Sequence, residues 1–192
     1  MAVAPSGAFE GISYSDTLPL AFIEGAVPDA ARLAGLNADN FQLLIADASL
    51  DEARVPTSES KGDDDSQVLE DLHRLEHKVN VLIQLVAKLV AREQSMPDAT
   101  AWRLYATGVE WQSAVAPAAP GTDGQVLLYV SRQFPQPLRL PGKIQAPRHD
   151  AAGAWQAFAF EGLSVAVTEG LERLIFRHHR RAVAGVRTHP RD

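Results

Sequence analysis

Residues 68–111, VLEDLHRLEHKVNVLIQLVAKLVAREQSMPDATAWRLYATGVEW, change period at Pro97, and that change decides how the chain is read. Before the proline, Val68, Leu72, Leu75, Val79, Leu82, Val86 and Leu89 recur at alternating steps of four and three. This is the a/d seam of a coiled coil, sustained over about three heptads. Asp63, Asp64 and Asp65 precede it, where negative charge suits a helix N-terminus, and Asp65 or Ser66 is placed to cap. Pro97 disfavours the helical region for the residue before it, so the spacing predicts a helix over about 66–95.

The apolar surface of that helix is wider than a two-stranded seam. Leu69, Ile83 and Val90 fall at e positions and Leu85 at a g position. A bundle of more than two helices would cover these residues, and so would the chain's own remaining fold; a long amphipathic core helix is the plainer alternative.

After Pro97 the period becomes strand-like. TAWRLYATGVEWQ (100–112), GQVLLYVSR (124–132), PLRLPGKIQ (137–145) and AWQAFAFEGLSVAV (154–167) are short β-rich runs. APAAPGTDG (116–124), QFPQ (133–136) and APRHDAAG (146–153), heavy in proline, glycine or aspartate, separate them. Such runs predict a sandwich or small barrel. Phe158 and Phe160 share one face of their strand, leaving Ala157 and Ala159 to the other. A last helix is predicted from about Thr168 to Ala184, with Leu171, Leu174, Ile175, His178 and Ala182 on one face and Gly185 as its stop.

Upstream, Ile12, Tyr14, Leu18, Leu20 and Phe22 nearly alternate, and Pro19 within the run marks an edge or terminal strand. Leu33 to Ala48 turns helical, with Asn37 or Asp39 as N-cap and Phe41, Leu44 and Ile45 at helical spacing. Residues 51–65, DEARVPTSESKGDDD, have the composition of a solvated linker.

Composition narrows the function classes. The chain has 192 residues, a formal charge of -6 and no cysteine. That size fits one ordinary domain with an appended element. Without cysteine there is no disulfide, thiolate metal site or thiol nucleophile, which accords with a reducing, cytoplasmic setting. The first residues, MAVAPSGAFEGISY, lack a basic start followed by an apolar run, and no stretch approaches the roughly 18 apolar residues of a membrane span.

Catalytic and metal constellations are not advertised. His73 and His77 lie four apart at b and f positions, without the glutamate of an HExxH zinc helix, and read as surface histidines. His178 reads as a boundary histidine, and His149 and His189 fall in predicted loop or tail. There is no phosphate loop, no GxSxG elbow and no marked carboxylate pair, so the expectation is a protein that is not an enzyme and uses no cofactor or metal. The run from Phe176 to Arg181, with Arg187 and Arg191, is cationic. Positive charge at a helix C-terminus offsets the dipole, by roughly 0.3–1 kcal/mol per favourable charge, and no aromatic platform accompanies it; nucleic acid is not an expected partner.

The order of segments resembles the PilZ family of bacterial second-messenger proteins, and in particular its atypical, tetrameric branch. GISYSDTLPLAF (11–22) looks like that branch's opening strand, the two helices to about Ser95 like its helical insertion, and WRLYATGVEW (102–111) like its second strand. GQVLLYVSR, PLRLPGKI, AFAFEGL and LERLIFRHHRR then follow in the family's order. The resemblance implies an α+β fold: a small antiparallel β-barrel with a helical insertion and a C-terminal helix. It divides the chain into 1–32 with the first barrel strand, 33–96 as the insertion, and 97–192 as the rest of the barrel and the closing helix.

Receptors of the family hold cyclic di-GMP through an RxxxR segment before the first strand and a [DN]xSxxG segment on the barrel, since guanidiniums bind phosphate and guanine edges bidentately and stack on bases. This sequence departs at both. No arginine precedes Arg32, and Arg103, Tyr105 and Gly108 stand at the motif's three defining positions, so only the glycine is kept. Arg177 and Arg181 spell RxxxR on the closing helix instead. The resemblance thus implies a signalling adaptor linked to control of motility or virulence through protein partners. It would assemble as a homotetramer through Val68, Leu72, Leu75, Val79, Leu82, Ile83, Val86, Leu89 and Val90, without binding cyclic di-GMP. A receptor with a rearranged site, using Arg103 or the C-terminal arginines, is the alternative.

Overall fold

The computed structural model describes residues 8–52, 74–75, 78–79, 81–82, 85, 96–113, 118–131, 136–150 and 153–187. Alternating apolar residues build six strands: β1 (Tyr14–Glu24), β2 (Ala99–Tyr105), β3 (Gly108–Gln112), β4 (Asp123–Leu128), β5 (Leu138–Asp150) and β6 (Gly153–Phe160). They close into an antiparallel barrel in the order β1-β2-β3-β6-β5-β4. Trp102, Leu104, Val109, Val126, Leu128, Leu140, Ile144 and Phe158 fill its interior and are essentially excluded from solvent. Closure leaves no exposed ladder edge among these strands.

β1 corrects the edge-strand expectation. Its first half pairs with β2, from Tyr14↔Leu104 to Pro19↔Ala99, and its second half pairs with β4, from Leu20↔Leu128 to Glu24↔Gly124. Pro19 lies where the strand leaves one partner and takes the other. Its missing N–H therefore falls at the end of a ladder, while its carbonyl still accepts from the Tyr129 amide at 3.2 Å. A proline signals an interruption of pairing, and in a closed barrel a change of partner supplies one.

Two long helices lie against the barrel: α1 (Ala30–Glu52) and α2 (Val165–Arg187). α1 begins earlier than the sequence predicts, because Asp29 rather than Asn37 or Asp39 caps it, its Oδ1 accepting from the Arg32 amide at 2.8 Å. Asn37 and Asn40 bind other elements instead. Asn37 donates to the Gly162 carbonyl (3.0 Å) and accepts from the Ser164 amide (2.9 Å), tying α1 to the start of α2. Asn40, buried, donates to the Arg139 carbonyl and accepts from the Arg139 amide, both at 2.8 Å.

α2 also starts early. Ser164 caps it through Oγ to the Val167 amide (3.3 Å), so residues 165–167, counted with the last strand on sequence, belong to the helix. Val167, Leu171, Leu174 and Ile175 bury against the barrel mouth, and Gly170 lets α1 approach: a β-carbon there would meet Leu44 Cδ1 at 2.8 Å. The helix runs past Gly185 rather than stopping at it. Two strand boundaries shift as well. WRLYATGVEW forms two strands, β2 and β3, around a turn at Ala106 and Thr107, and β5 continues through residues 146–150, so His149 is in a strand rather than a loop.

Of the predicted heptad helix, residues 74, 75, 78, 79, 81, 82 and 85 are described, and all are helical and exposed. The predicted linker beyond Glu52 lies outside the described residues.

Candidate functional site

Because Trp102, Leu104, Val109 and Trp111 point into the barrel, the intervening Arg103, Tyr105 and Glu110 point out of it. Arg103 and Glu110 are register partners across β2 and β3. The alanines of β6 do not clash with them: Glu110 pairs with Ala157, whose methyl leaves room for a covered carboxylate. Glu110 is fully buried. Its Oε2 lies 3.3 Å from Arg103 Nη1 and its Oε1 3.5 Å from Arg148 Nε, the second being a contact of charges rather than an aligned hydrogen bond. The Ala8 amide also donates to Oε1, bringing the N-terminal segment over the cluster.

Trp155 completes the arrangement. The guanidinium carbon of Arg103 stands 5.2 Å and that of Arg148 5.7 Å from its ring centroid, within cation–π range of both. Its indole N–H donates to Asp150 Oδ1 at 3.1 Å, and Arg148 Nη1 donates to Asp150 Oδ2 at 3.2 Å. Two guanidiniums thus meet two carboxylates, and their charges cancel locally. Such a cluster holds four barrel strands in register; a dianionic ligand would have to displace internal carboxylates to reach the arginines.

The other two degenerate motif positions have structural work. Tyr105 is buried, and burial holds its hydroxyl above the ordinary value of 10.0, against the lowering effect of its hydrogen bond with Arg103. The Phe9 ring covers it, with centroids 5.4 Å apart and planes at 49°. At Gly108 a β-carbon would run into that same Phe9 ring and the Phe158 carbonyl, so glycine here answers to close packing.

The C-terminal arginines are engaged too. Arg177 Nη2 donates to Asp47 Oδ2 of α1 at 2.8 Å, in a pair mostly shielded from solvent. Arg181 also has an interaction partner. Arg180 lies over the Phe176 ring at 5.9 Å. His178 stacks on Tyr14, with centroids 3.7 Å apart and planes at 17°, while the Tyr14 hydroxyl donates to Asp16 at 2.7 Å.

Of the predicted seam residues, Leu75, Val79 and Leu82 are 56%, 45% and 60% exposed; Val68, Leu72, Ile83, Val86, Leu89 and Val90 lie outside the described residues, as do His73, His77 and His189. Among the described residues there is no group of ligating side chains for a metal, and no helix is long and apolar enough to cross a membrane.

Sequence reasoning did not find Glu110, Arg148, Trp155 or Asp150. Their signal is hairpin symmetry: Arg103 and Glu110 are equidistant from the turn at Ala106 and Thr107, and Arg148 and Trp155 pair across the next hairpin. Neither Ala106 nor Thr107 is the glycine or asparagine that marks such a turn, so the symmetry axis was hidden.

Comparison with known proteins places this geometry. The sequence profile described as an atypical PilZ domain, cyclic di-GMP receptor, matches residues 44–188. No curated protein matches the chain in sequence. Among solved structures, a pathogenic protein from Xanthomonas campestris, reported as a new tetrameric PilZ domain self-assembled via an unusual helical bundle, is similar with a TM-score of 0.73 and 26% identity, over 90% of this chain and 91% of that one. A six-stranded closed barrel capped by a C-terminal helix, with the profile spanning most of its length, makes this chain a member of the atypical PilZ domain family.

Proposed function

We propose that the chain is a non-enzymatic, cytoplasmic adaptor in cyclic di-GMP-linked bacterial signalling. It assembles as a homotetramer through the helix at about 66–95 and does not itself bind the dinucleotide. The observation that carries this reading is the neutralisation of Arg103 by buried Glu110, with Arg177 paired to Asp47 as well. The arginines a rearranged site would recruit already serve the barrel and its helices. Exposed Leu75, Val79, Leu82 and Leu85 support assembly, since each is an apolar side chain left wet in the single chain. Covering the exposed half of one yields roughly 0.7–1.5 kcal/mol, and four per protomer over several protomers work against the cost of association. The Xanthomonas protein's reported tetramer and helical bundle point the same way. On this reading residues 1–32 and 97–192 form the displayed barrel and 33–96 the inserted assembly device, and the output is control of motility or virulence through a protein partner.

The family's description as a cyclic di-GMP receptor favours a second reading, in which Arg103 and Arg148, stacked on Trp155, form the rearranged site. Light-scattering mass, with calorimetric titration of cyclic di-GMP, separates the two. A tetramer with no heat of binding supports the adaptor; a monomer removes the assembly, and a binding heat lost in Arg103→Ala establishes the receptor.

A further inference from the structure

A cleft of about 680 Å³ opens between the segment leading into β1, the β2–β3 turn and the outer face of α2. Its apolar surface comes from Ile12, Ala106, Ile175 and Phe176. Ile12 and Phe176 are 51% and 52% exposed. Its rim carries Glu10, Glu169, Glu172 and Arg173; Arg173 is compensated by Glu169 at 3.9 Å, and Arg180 lies over the Phe176 ring at 5.9 Å. Glu10 and Glu172 have no ion-pair partner among the described residues. On α2, Glu169, Glu172, Arg173 and Phe176 follow at steps that place them on one face, opposite to the buried Leu171 and Leu174.

We propose that this cleft is the docking site of a partner protein's basic segment, an aromatic or aliphatic side chain seated between Ile12 and Phe176 with lysine or arginine on Glu10 and Glu172. The charge of the rim selects the occupant. An acidic chain would be repelled by two uncompensated carboxylates, and a purely apolar one would leave both at the edge of a desolvated contact. The volume suits one or two large side chains rather than a whole domain face. Anchors in the apolar floor set the off-rate and rim charges the on-rate, so each contribution has its own readout. This inference rests on the adaptor reading, which gives the barrel a protein partner, and locates where that partner binds.

The test uses the full chain, isotope-labelled, and three short synthetic peptides with the same phenylalanine–leucine anchor, flanked by lysines, serines or glutamates. The lysine peptide is expected to bind at least about ten-fold more tightly than the glutamate peptide, a difference of about 1.4 kcal/mol. Amide shifts should concentrate at residues 10–12, 106–107 and 169–176. Phe176→Ser, at a half-exposed position, should abolish binding in a chain that still folds, with the thermal midpoint lowered by no more than about 4 °C, and Glu10→Gln with Glu172→Gln should remove the preference for lysine and its salt dependence. Equal binding of the three peptides, no binding, or shifts centred elsewhere would overturn the proposal. A fall in oligomer mass on Phe176→Ser would also overturn it, by making the cleft a contact between copies. The mass and cyclic di-GMP titrations are independent of these results: cyclic di-GMP binding defeats the adaptor reading without touching the cleft, and a peptide failure in a ligand-free tetramer defeats the cleft alone.

Discussion

Arg103 and Glu110 face each other across the β2–β3 ladder, Nη1 to Oε2 at 3.3 Å, with the carboxylate fully buried and the guanidinium largely so. One carboxylate serves two arginines here, since Arg148 reaches its other oxygen. Removing that carboxylate leaves Arg103 shielded without this partner and Arg148 with Asp150 alone. Glu110→Ala is therefore expected to destabilise the chain by about 3 kcal/mol, the low end for breaking a buried pair because both arginines keep some solvent contact. Urea unfolding followed by tryptophan fluorescence measures it. A loss below about 1 kcal/mol would show that the cluster does not hold the barrel together.

Asn40 sits on α1 as a two-pronged clamp on the Arg139 backbone. Asn40→Ala takes both partners from the part-buried Arg139 amide and carbonyl of β5, at about 1–3 kcal/mol in all. Asn40→Asp keeps the acceptor for the Arg139 amide but turns a carboxylate oxygen towards the Arg139 carbonyl from a buried position, so it should be no more stable than the alanine variant. Hydrogen exchange at the Arg139 amide, which the clamp protects, should quicken by a factor of ten or more in Asn40→Ala.

Val79 and Leu82 are exposed in the single chain. If their helix forms an assembly seam, Leu82→Asp should yield a folded protein of lower mass, with its barrel circular dichroism and thermal midpoint close to those of a monomer. Loss of folding along with loss of mass would instead mark the helix as part of each protomer's own core.

Tyr105 and Tyr129 both have hydroxyls whose ionisation is pushed above the ordinary value of 10.0, in each case chiefly by burial. A raised value in the folded state means that the unfolded chain loses its protons first. The stability they contribute is complete below pH 10 and declines as pH rises above it through the folded-state values. Urea midpoints from about pH 8 to 11 should stay level and then fall, and Tyr105→Phe should flatten the fall. A midpoint that rises over that range contradicts the assignment.

How much of this was legible beforehand depends on how local each cause is. The change of period at Pro97, the alternation of Trp102 and Leu104 with Arg103 and Tyr105, and the apolar face of α2 are properties of neighbours in the chain. Periodicity therefore sufficed to predict strands after the proline and a closing helix, and the order of segments pointed to the barrel family. Helix boundaries were read less well, because Asn37 was available as a cap only until the fold put Gly162 and Ser164 within its reach.

The sequence by itself determined the class of the molecule and the absence of thiol chemistry, since hydrophobic period and residue identity need no tertiary contact. Only the tertiary structure decided what the arginines do. A guanidinium's role depends on which carboxylate lies within about 4 Å, and Glu110, Asp150 and Asp47 reach Arg103, Arg148 and Arg177 through hairpin register and helix packing that no local pattern encodes. Pro19 shows the same division: its missing donor is written in the chain, but whether that gap marks a sheet edge or a change of partner was settled when the sheet closed.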